Sequence, residues 1–362
     1  MTKDLTFRRF QPDDLARVSE FRKTFFPYNS SIRCYEPEYY RWKCYDNPVQ
    51  QGEMWLAEDG DVLVGMKGMI PKRMKILGAE VDGAETGDTF THPDYQRRGI
   101  FTGLFKAACQ KRGLDTRVDF IYGVANEQSR PGYEKKLNYA QVPIRLRYWM
   151  KPMNMKQLLE VKLHSSLLAA LFSPAIEIIS TVISRIGTVG DAKSDISISR
   201  VSSFPDDIEA LWEQVAYKYD VMLTRSKNYL EWRYVKNPDT YSILIATSKE
   251  GITLGYMVTK VGLSEKKLPL GFIVDFLTAE DRSDVFRKLV AASLKEFHSK
   301  KVSFISTWAV KGGGYEKTLL RLGFLVNPAV KISLICYKNE LGNQIINHPY
   351  RWHFNQGDSD SI

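Results

Sequence analysis

The chain has 362 residues and a net charge of +9, from 51 Lys+Arg against 42 Asp+Glu. With 44% hydrophobic and 26% charged residues, it carries no disorder signature and is long enough to build two cores. The basic balance favours anionic ligands, but the lysines and arginines are scattered, which argues against a nucleic-acid-binding arm.

Taken in order, Leu5 to Phe10 reads as a first strand, and Pro12-Asp13-Asp14 opens a helix running to about Phe26. A Tyr-rich stretch (35–47) precedes Pro48. Met54 to Ala57 and Asp61 to Gly68 read as paired strands across an Asp59-Gly60 turn, and Lys72 to Leu77 and Glu80 to Phe90 continue the meander around Gly78. The run Thr86 to Thr91 then meets His92-Pro93. A basic loop, Gln96-Arg97-Arg98-Gly99, opens a helix whose apolar residues fall at Ile100, Phe101, Leu104, Phe105 and Ala108. Strand, basic glycine loop and helix start together make an anion site, because the first-turn amides have no intrahelical partner and the dipole end is positive. Gly99 admits close approach to the backbone. Phe120 to Val124 is a further apolar strand, ending in Ala125-Asn126.

The stretch 86–108 resembles the acetyl-CoA-binding motif of GNAT-type N-acetyltransferases, whose loop reads Q/R-x-x-G-x-G/A. Gln96, Arg97, Arg98, Gly99 and Ile100 fit; Phe101 stands where the pattern has a small residue, and Gly103 follows two residues later. The enhanced-intracellular-survival type shares that departure. The resemblance implies acetyl-CoA as co-substrate, held by Phe90, Thr91, Gln96, Arg97, Arg98, Gly99, Ile100, Phe101, Thr102, Gly103 and Asn126. It also implies two parallel strands that splay to admit the pantetheine arm. Arg130 to Tyr139 resembles the family's closing Y-x-x-L-G-F segment, which makes Tyr133 the candidate general acid. In the enhanced-intracellular-survival type the C-terminal carboxylate takes part, here Ile362. The base candidates are Glu85 and Asp88, on the strand entering the loop, and Asp358 or Asp360 in the tail. An amide near Phe90 or Thr91 is the expected oxyanion donor.

A repeat runs through the chain. Trp42-Lys43 and Asn47-Pro48 recur as Trp232-Arg233 and Asn237-Pro238, and Tyr133-Glu134-Lys135 as Tyr315-Glu316-Lys317. We read a tandem duplication of one α/β unit. In the second copy, Asp275, Glu280, Asp281 and Asp284 stand where the basic loop belongs and would repel a diphosphate, so cofactor binding is expected in the first copy alone. The apolar stretch 154–186 is interrupted by Ser165, Ser166, Pro174 and Glu177. It falls short of the about 18 uninterrupted apolar residues of a membrane span and reads as a helical pair packed on the two units, with peripheral membrane contact as the alternative. The tail holds aromatics beside Asp358 and Asp360 and resembles the endings of tandem acetyltransferase-like proteins of bacterial polysaccharide loci; with Trp42 these carboxylates are assigned to an amine-binding cleft.

The expected fold is α/β: two tandem GNAT-like units, each a mixed twisted sheet flanked by helices, joined by a helical linker. The expected domains are a first unit at 1–148 with the acyl-CoA site, an insert and linker at 149–200, a degenerate second unit at 201–340 and a tail at 341–362. The function expected is acyl-CoA-dependent N-acyl transfer, by direct attack of an amine, with an amino sugar of surface polysaccharide as acceptor. The alternatives are a non-catalytic acyl-CoA-binding or docking module and a transferase of the aminoacyl-tRNA-dependent peptidoglycan type. The four cysteines (Cys34, Cys44, Cys109, Cys336) and five histidines show no metal spacing, so no metal is expected. No nucleic-acid partner is expected, and the polar start MTKDLTFRRF, without an apolar h-region, leads us to expect a cytoplasmic protein.

Overall fold

Tight turns shape the first half of the chain. The computed structural model describes residues 5–25, 36–110, 118–154, 195–264, 268–280 and 282–360. Cys34, Asp281, Ile362, the linker 187–194 and all but the first residue of the expected insert at 154–186 lie outside the described residues, as does the side chain of Cys109. Strand β1 (Leu5–Arg9) leads through one 3-10 turn into α1 (Leu15–Lys23), and α2 spans Pro37–Tyr45. Gly60, at φ 60°, closes the turn between β2 (Glu53–Asp59) and β3 (Val62–Ile76). Leu77 and Gly78, at φ 51° and 88°, turn the chain from β3 into β4 (Ala79–Thr91). Paired positive φ values of this kind match the twist of the flanking strands.

The two separate strands expected at 61–68 and 72–77 are one, because Pro71 does not break β3. Its carbonyl accepts from Asn47 Nδ2 at 3.1 Å, on the side where β2 has already ended opposite Met69. Proline is tolerated where no ladder donor is needed. Helix α3 (Ile100–Gln110) buries Ile100, Leu104, Phe105 and Ala108 against this sheet. Then follow β5 (Phe120–Ala125), α4 (Arg130–Lys136), β6 (Tyr139–Gln141) and β7 (Leu146–Pro152).

The second half repeats the plan. It runs β8 (Ser197–Val201), α5 (Ile208–Ala216), β9 (Val221–Leu223), α6 (Lys227–Leu230) and a π turn over Glu231–Val235. Strands β10 (Ser242–Thr247), β11 (Thr253–Leu263) and β12 (Pro269–Thr278) form its meander. Helix α7 (Ser283–Ser299), β13 (Phe304–Val310), α8 (Glu316–Arg321), β14 (Leu325–Val326), β15 (Ser333–Tyr337) and α9 (Glu340–Ile346) complete it.

The result is two mixed sheets, ordered β1-β2-β3-β4-β5-β15-β6, with β9 also on β3, and β14-β7-β13-β12-β11-β10-β8. Each unit lends its late strand to the other. β7 lies against β13, and β15 sits between β5 and β6. Neither sheet is therefore made from one unbroken stretch of chain, and residue 148 falls inside β7.

The repeat becomes a near-symmetric contact. Trp42 and Trp232 stack with ring centroids 4.7 Å apart and planes at 18°. The Trp42 indole N–H donates to the Trp232 carbonyl at 2.7 Å, and the Trp232 indole N–H to the Trp42 carbonyl at 3.1 Å. Burying both indoles with both donors satisfied is strongly stabilising. Trp42, assigned to an amine-binding cleft, is 2% exposed, with its ring in the junction between the units.

Candidate active site

Parallel strands β4 and β5 pair only at Gly83–Phe120, Ala84–Ile121 and Glu85–Tyr122. Both continue beyond that point, β4 to Thr91 and β5 to Ala125, without pairing to each other. Where they part, β4 bulges against β3 between Gly87 and Phe90, with Asp88 at φ 43°. A side chain on Gly87 would meet nothing within 4 Å, so the backbone there faces open space.

The basic loop lies just past the parted strands. Gln96, Arg97, Arg98 and Gly99 are all exposed, and Arg97 and Gly99 have positive φ (63° and 80°). Gly99 has only Thr102 Oγ1 near its missing Cβ. The first backbone bond of α3 runs from Gly103 N–H to the Gly99 carbonyl (2.8 Å), so the amides of Ile100, Phe101 and Thr102 precede it. Arg98 lies over the Tyr95 ring at 4.7 Å. The Thr102 hydroxyl donates to the Gly99 carbonyl at 2.8 Å and fixes the helix start.

Two residues of the expected set serve packing. Ile100 is buried in the core at 1% exposure. Gly103 is required by Phe7, whose ring would lie 2.2 Å from a Cβ there. Phe101 explains its own departure from the small-residue pattern: its ring meets Tyr133 edge-on at 5.1 Å and lies over Gly132, where a Cβ would come within 3.0 Å. Asn126, exposed, accepts from the Gln128 and Ser129 amides through Oδ1 and so shapes the turn into α4. Phe90 turns to the other face of β4, under the Arg22 guanidinium at 4.0 Å.

Tyr133, on α4, brings its hydroxyl to 3.2 Å from Thr89 Oγ1 on the parted segment of β4. Close by, buried Lys67 reaches the Thr86 hydroxyl and lies 5.3 Å and 5.6 Å from the Phe105 and Tyr133 rings. No carboxylate among the described residues pairs with it.

The opposite face of β4 holds the carboxylates. Glu85 is 2% exposed; its Oε1 accepts the Asp360 amide at 2.9 Å, Lys72 Nζ lies 3.6 Å from its Oε2, and that Oε2 accepts no hydrogen bond. Burial, and then the Asp360 charge, push the Glu85 carboxyl up to about 7. Asp88, by contrast, is committed to Lys43 at 2.6 Å, with Arg22 at 3.9 Å. The tail arrives here as a buried strap. Asp360 pairs with Lys43 (3.0 Å), Arg233 (3.0 Å) and Lys72 (3.5 Å). Burial opposes ionisation, but those three cations hold its carboxyl far below the usual range. Asp358 pairs with Arg225 at 2.8 Å, while Asp275 reaches the same Arg225 at 3.2 Å. Burial, outweighing Arg225, pushes Asp358 up to about 6. The Tyr122 hydroxyl donates to the Asp358 carbonyl at 2.7 Å, and Arg233 to that of Ser359 at 2.8 Å.

A parted parallel strand pair feeding an exposed basic glycine loop decides the comparison. Residues 6–141 match the acetyltransferase (GNAT) domain family. No curated protein matches the sequence. Solved structures match beyond this GNAT domain, across both units. A probable N-acyltransferase from Enterococcus faecalis is 13% identical with a TM-score of 0.61, over 92% of this chain and 72% of that one. A GCN5-related N-acetyltransferase from Anabaena variabilis is 12% identical with a TM-score of 0.61, over 92% and 72%. The N-myristoyltransferase of Saccharomyces cerevisiae, with bound myristoyl-CoA, is 12% identical with a TM-score of 0.59, over 93% and 83%. At these identities the likeness is one of fold, and it is the fold of two GNAT-like units in tandem.

The structure thus sets Tyr133 beside the unpaired second half of β4, which leads to the loop 96–99, and sets Glu85 and Asp360 together at the middle of that strand. Sequence reasoning missed Lys43, Lys67, Lys72 and Arg225. Lysines seldom lie fully buried, so nothing in the sequence marked Lys67 or Lys72. Lys43 did carry a signal, since it and Arg233 hold the same place in the repeat. No helix among the described residues is long and apolar enough to cross a membrane.

Proposed function

We propose that the chain is an acyl-CoA-dependent N-acyltransferase, with acetyl-CoA as donor and one working site, in the first unit. The observation that carries this reading is the end of β4–β5 pairing at Glu85–Tyr122, directly before the exposed Arg97-Arg98-Gly99 helix entry. A pantetheine arm needs an unpaired strand edge to bond to, and a diphosphate needs free amides and positive charge. In this reading the loop 96–99 and the first amides of α3 hold the diphosphate, and the thioester lies in the gap beside Gly87.

Glu85 and Thr86 are successive strand residues and face opposite sides of β4. The amine therefore meets the thioester from the Glu85 side, and the thiol leaves toward Tyr133. Glu85, pushed up to about 7, is matched to taking a proton from an ammonium near neutral pH. The neutral amine attacks the thioester carbon, and the C–S bond breaks as the amide forms. The departing thiolate takes the Tyr133 proton, and the second proton that the nitrogen sheds as the amide forms restores Tyr133. The buried Lys67 ammonium favours the negative charge passing on that side. Asp360, ionised near neutral pH, fixes Lys43 and Lys72 rather than moving protons. The tail's seat in this cluster is what supports the comparison with the enhanced-intracellular-survival type.

The test is release of free CoA thiol from acetyl-CoA across a panel of amines, led by amino sugars. Amine-dependent release is expected, falling about 100-fold in Tyr133→Phe. Tight acetyl-CoA binding with no release on any amine would overturn the catalytic reading and favour a binding module.

A further inference from the structure

The geometry points to a second ligand site, in the second unit, built for a phosphorylated small molecule that carries a planar ring. Strands β12 and β13 pair only at Leu270–Phe304, Gly271–Ile305 and Phe272–Ser306, yet run on to Thr278 and Val310. Their parted ends open into a cavity of about 1030 Å³. Pockets of several hundred to about 1,000 Å³ are the size that takes nucleotide-scale ligands.

Three of the four acidic residues expected to repel an anion here have cation partners, and Asp281 lies outside the described residues. Asp275 turns inward to Arg225 at 3.2 Å, Asp284 is paired with Arg282 at 2.9 Å, and Glu280 with Lys218 at 2.6 Å. Among the described residues Glu280 is the one carboxylate in the cavity wall, against Arg145, Lys218, Arg282, Lys311 and Arg351. Arg351 is held by Asp220 at 2.9 Å. Arg145 and Lys311 are different. They are exposed, adjacent (Lys311 N–H donates to the Arg145 carbonyl at 2.8 Å), and make no ion pair with any described residue. Two uncompensated cations side by side at a cavity mouth are what a phosphate requires.

The inner wall carries a second, independent sign. Trp352 is 3% exposed and lines the cavity, and its indole N–H reaches no hydrogen-bond partner. A buried donor left without an acceptor costs about 1–3 kcal/mol, which a ligand atom would recover. Tyr315 closes the floor: its hydroxyl accepts the Thr278 amide at 3.2 Å, and its ring packs on Phe286 at 4.8 Å. Gly312 and Gly314 leave open space beside the backbone next to Lys311. Cations at the mouth and aromatic walls within select for phosphate and ring in one molecule.

The probe is ADP, titrated by calorimetry into the full chain carrying Arg98→Glu and Gly99→Val, so that the first unit's loop cannot contribute. One-to-one binding is expected, weakened at least tenfold by adding Arg145→Glu and Lys311→Glu and at least tenfold for adenosine in place of ADP. Pyrophosphate alone is expected to bind more weakly than ADP; equal affinity would remove the ring from the ligand class. Both changed residues are exposed, so an unchanged melting temperature checks that the variant folds, and Lys311→Ala should give an intermediate affinity. Unchanged affinity in the double variant, or no binding of ADP, UDP or pyrophosphate at millimolar concentration, would overturn the site.

Discussion

Replacing Glu85 by Gln separates burial from chemistry. The glutamine keeps the carbonyl that accepts the Asp360 amide but removes a charge from a residue that is 2% exposed. The Glu85 carboxyl is raised from 4.5 to about 7, mainly by burial. A group raised in the folded state binds its proton more tightly there, so its contribution is intact below pH 4.5 and is lost as pH rises through about 7. At about 1.4 kcal/mol per pH unit, ionising Glu85 in place costs about 3 kcal/mol by pH 8 and less than about 1 kcal/mol at pH 5. Glutamine carries no such penalty. At about 2 cal/mol/K per residue for 362 residues, each degree of melting temperature corresponds to about 0.8 kcal/mol. The variant should therefore melt within about 1 °C of the parent at pH 5 and about 3–4 °C above it at pH 8, while amine acylation at pH 8 falls 100-fold or more. Scanning calorimetry at the two pH values, beside a thiol-release assay, reads both. A variant that melts below the parent at pH 8 would refute the reasoning, since the Lys72 contact would then outweigh burial. Full activity would remove Glu85 as the base.

Asp360→Asn should be strongly destabilising, by about 3–5 kcal/mol, because it leaves Lys43, Lys72 and Arg233 buried around a neutral group; a drop of about 4–6 °C in melting temperature at pH 7 is expected, and a drop under 1 °C would contradict it. The Asp360 contribution is present above its ordinary value of 3.8 and is lost on acidification below it, so the parent and variant should converge at low pH. Gly103→Val should destabilise by about 1–3 kcal/mol through collision with Phe7, with acetyl-CoA affinity kept in the folded fraction. Trp42→Phe and Trp232→Phe each remove one of the reciprocal indole bonds; a double-mutant cycle in thermal stability should give a coupling of about 0.5–3 kcal/mol, and additivity would show that the stack is not a unit.

Much of the first unit was legible because its signals are local. The meander follows from Gly60 and Gly78, and the loop and helix from Pro93, Gly99 and the apolar spacing 100–108. The repeat gave the tandem plan, and its Trp and basic residue turned out to face each other across the junction. What stayed hidden is non-local. The exchange of β7 and β15 depends on which sheet edge each strand reaches, and one strand's sequence does not encode that. The tail's aromatics and carboxylates were noticed, but their partners Arg225 and Lys72 lie far away in sequence and look like surface residues. The partners of Asp275 and Glu280, Arg225 and Lys218, stayed hidden for the same reason, since the charge at a site depends on partners that only folding supplies.

The central claim is that the amino-half loop holds an acyl-CoA. Its most direct test is calorimetric titration of acetyl-CoA into the full chain and into Arg98→Glu with Gly99→Val. The charge reversal and the side chain at a positive-φ glycine should together lower affinity at least 100-fold, while backbone strain lowers the melting temperature by no more than about 4 °C. Equal affinity in the two proteins would contradict the account and place the donor elsewhere.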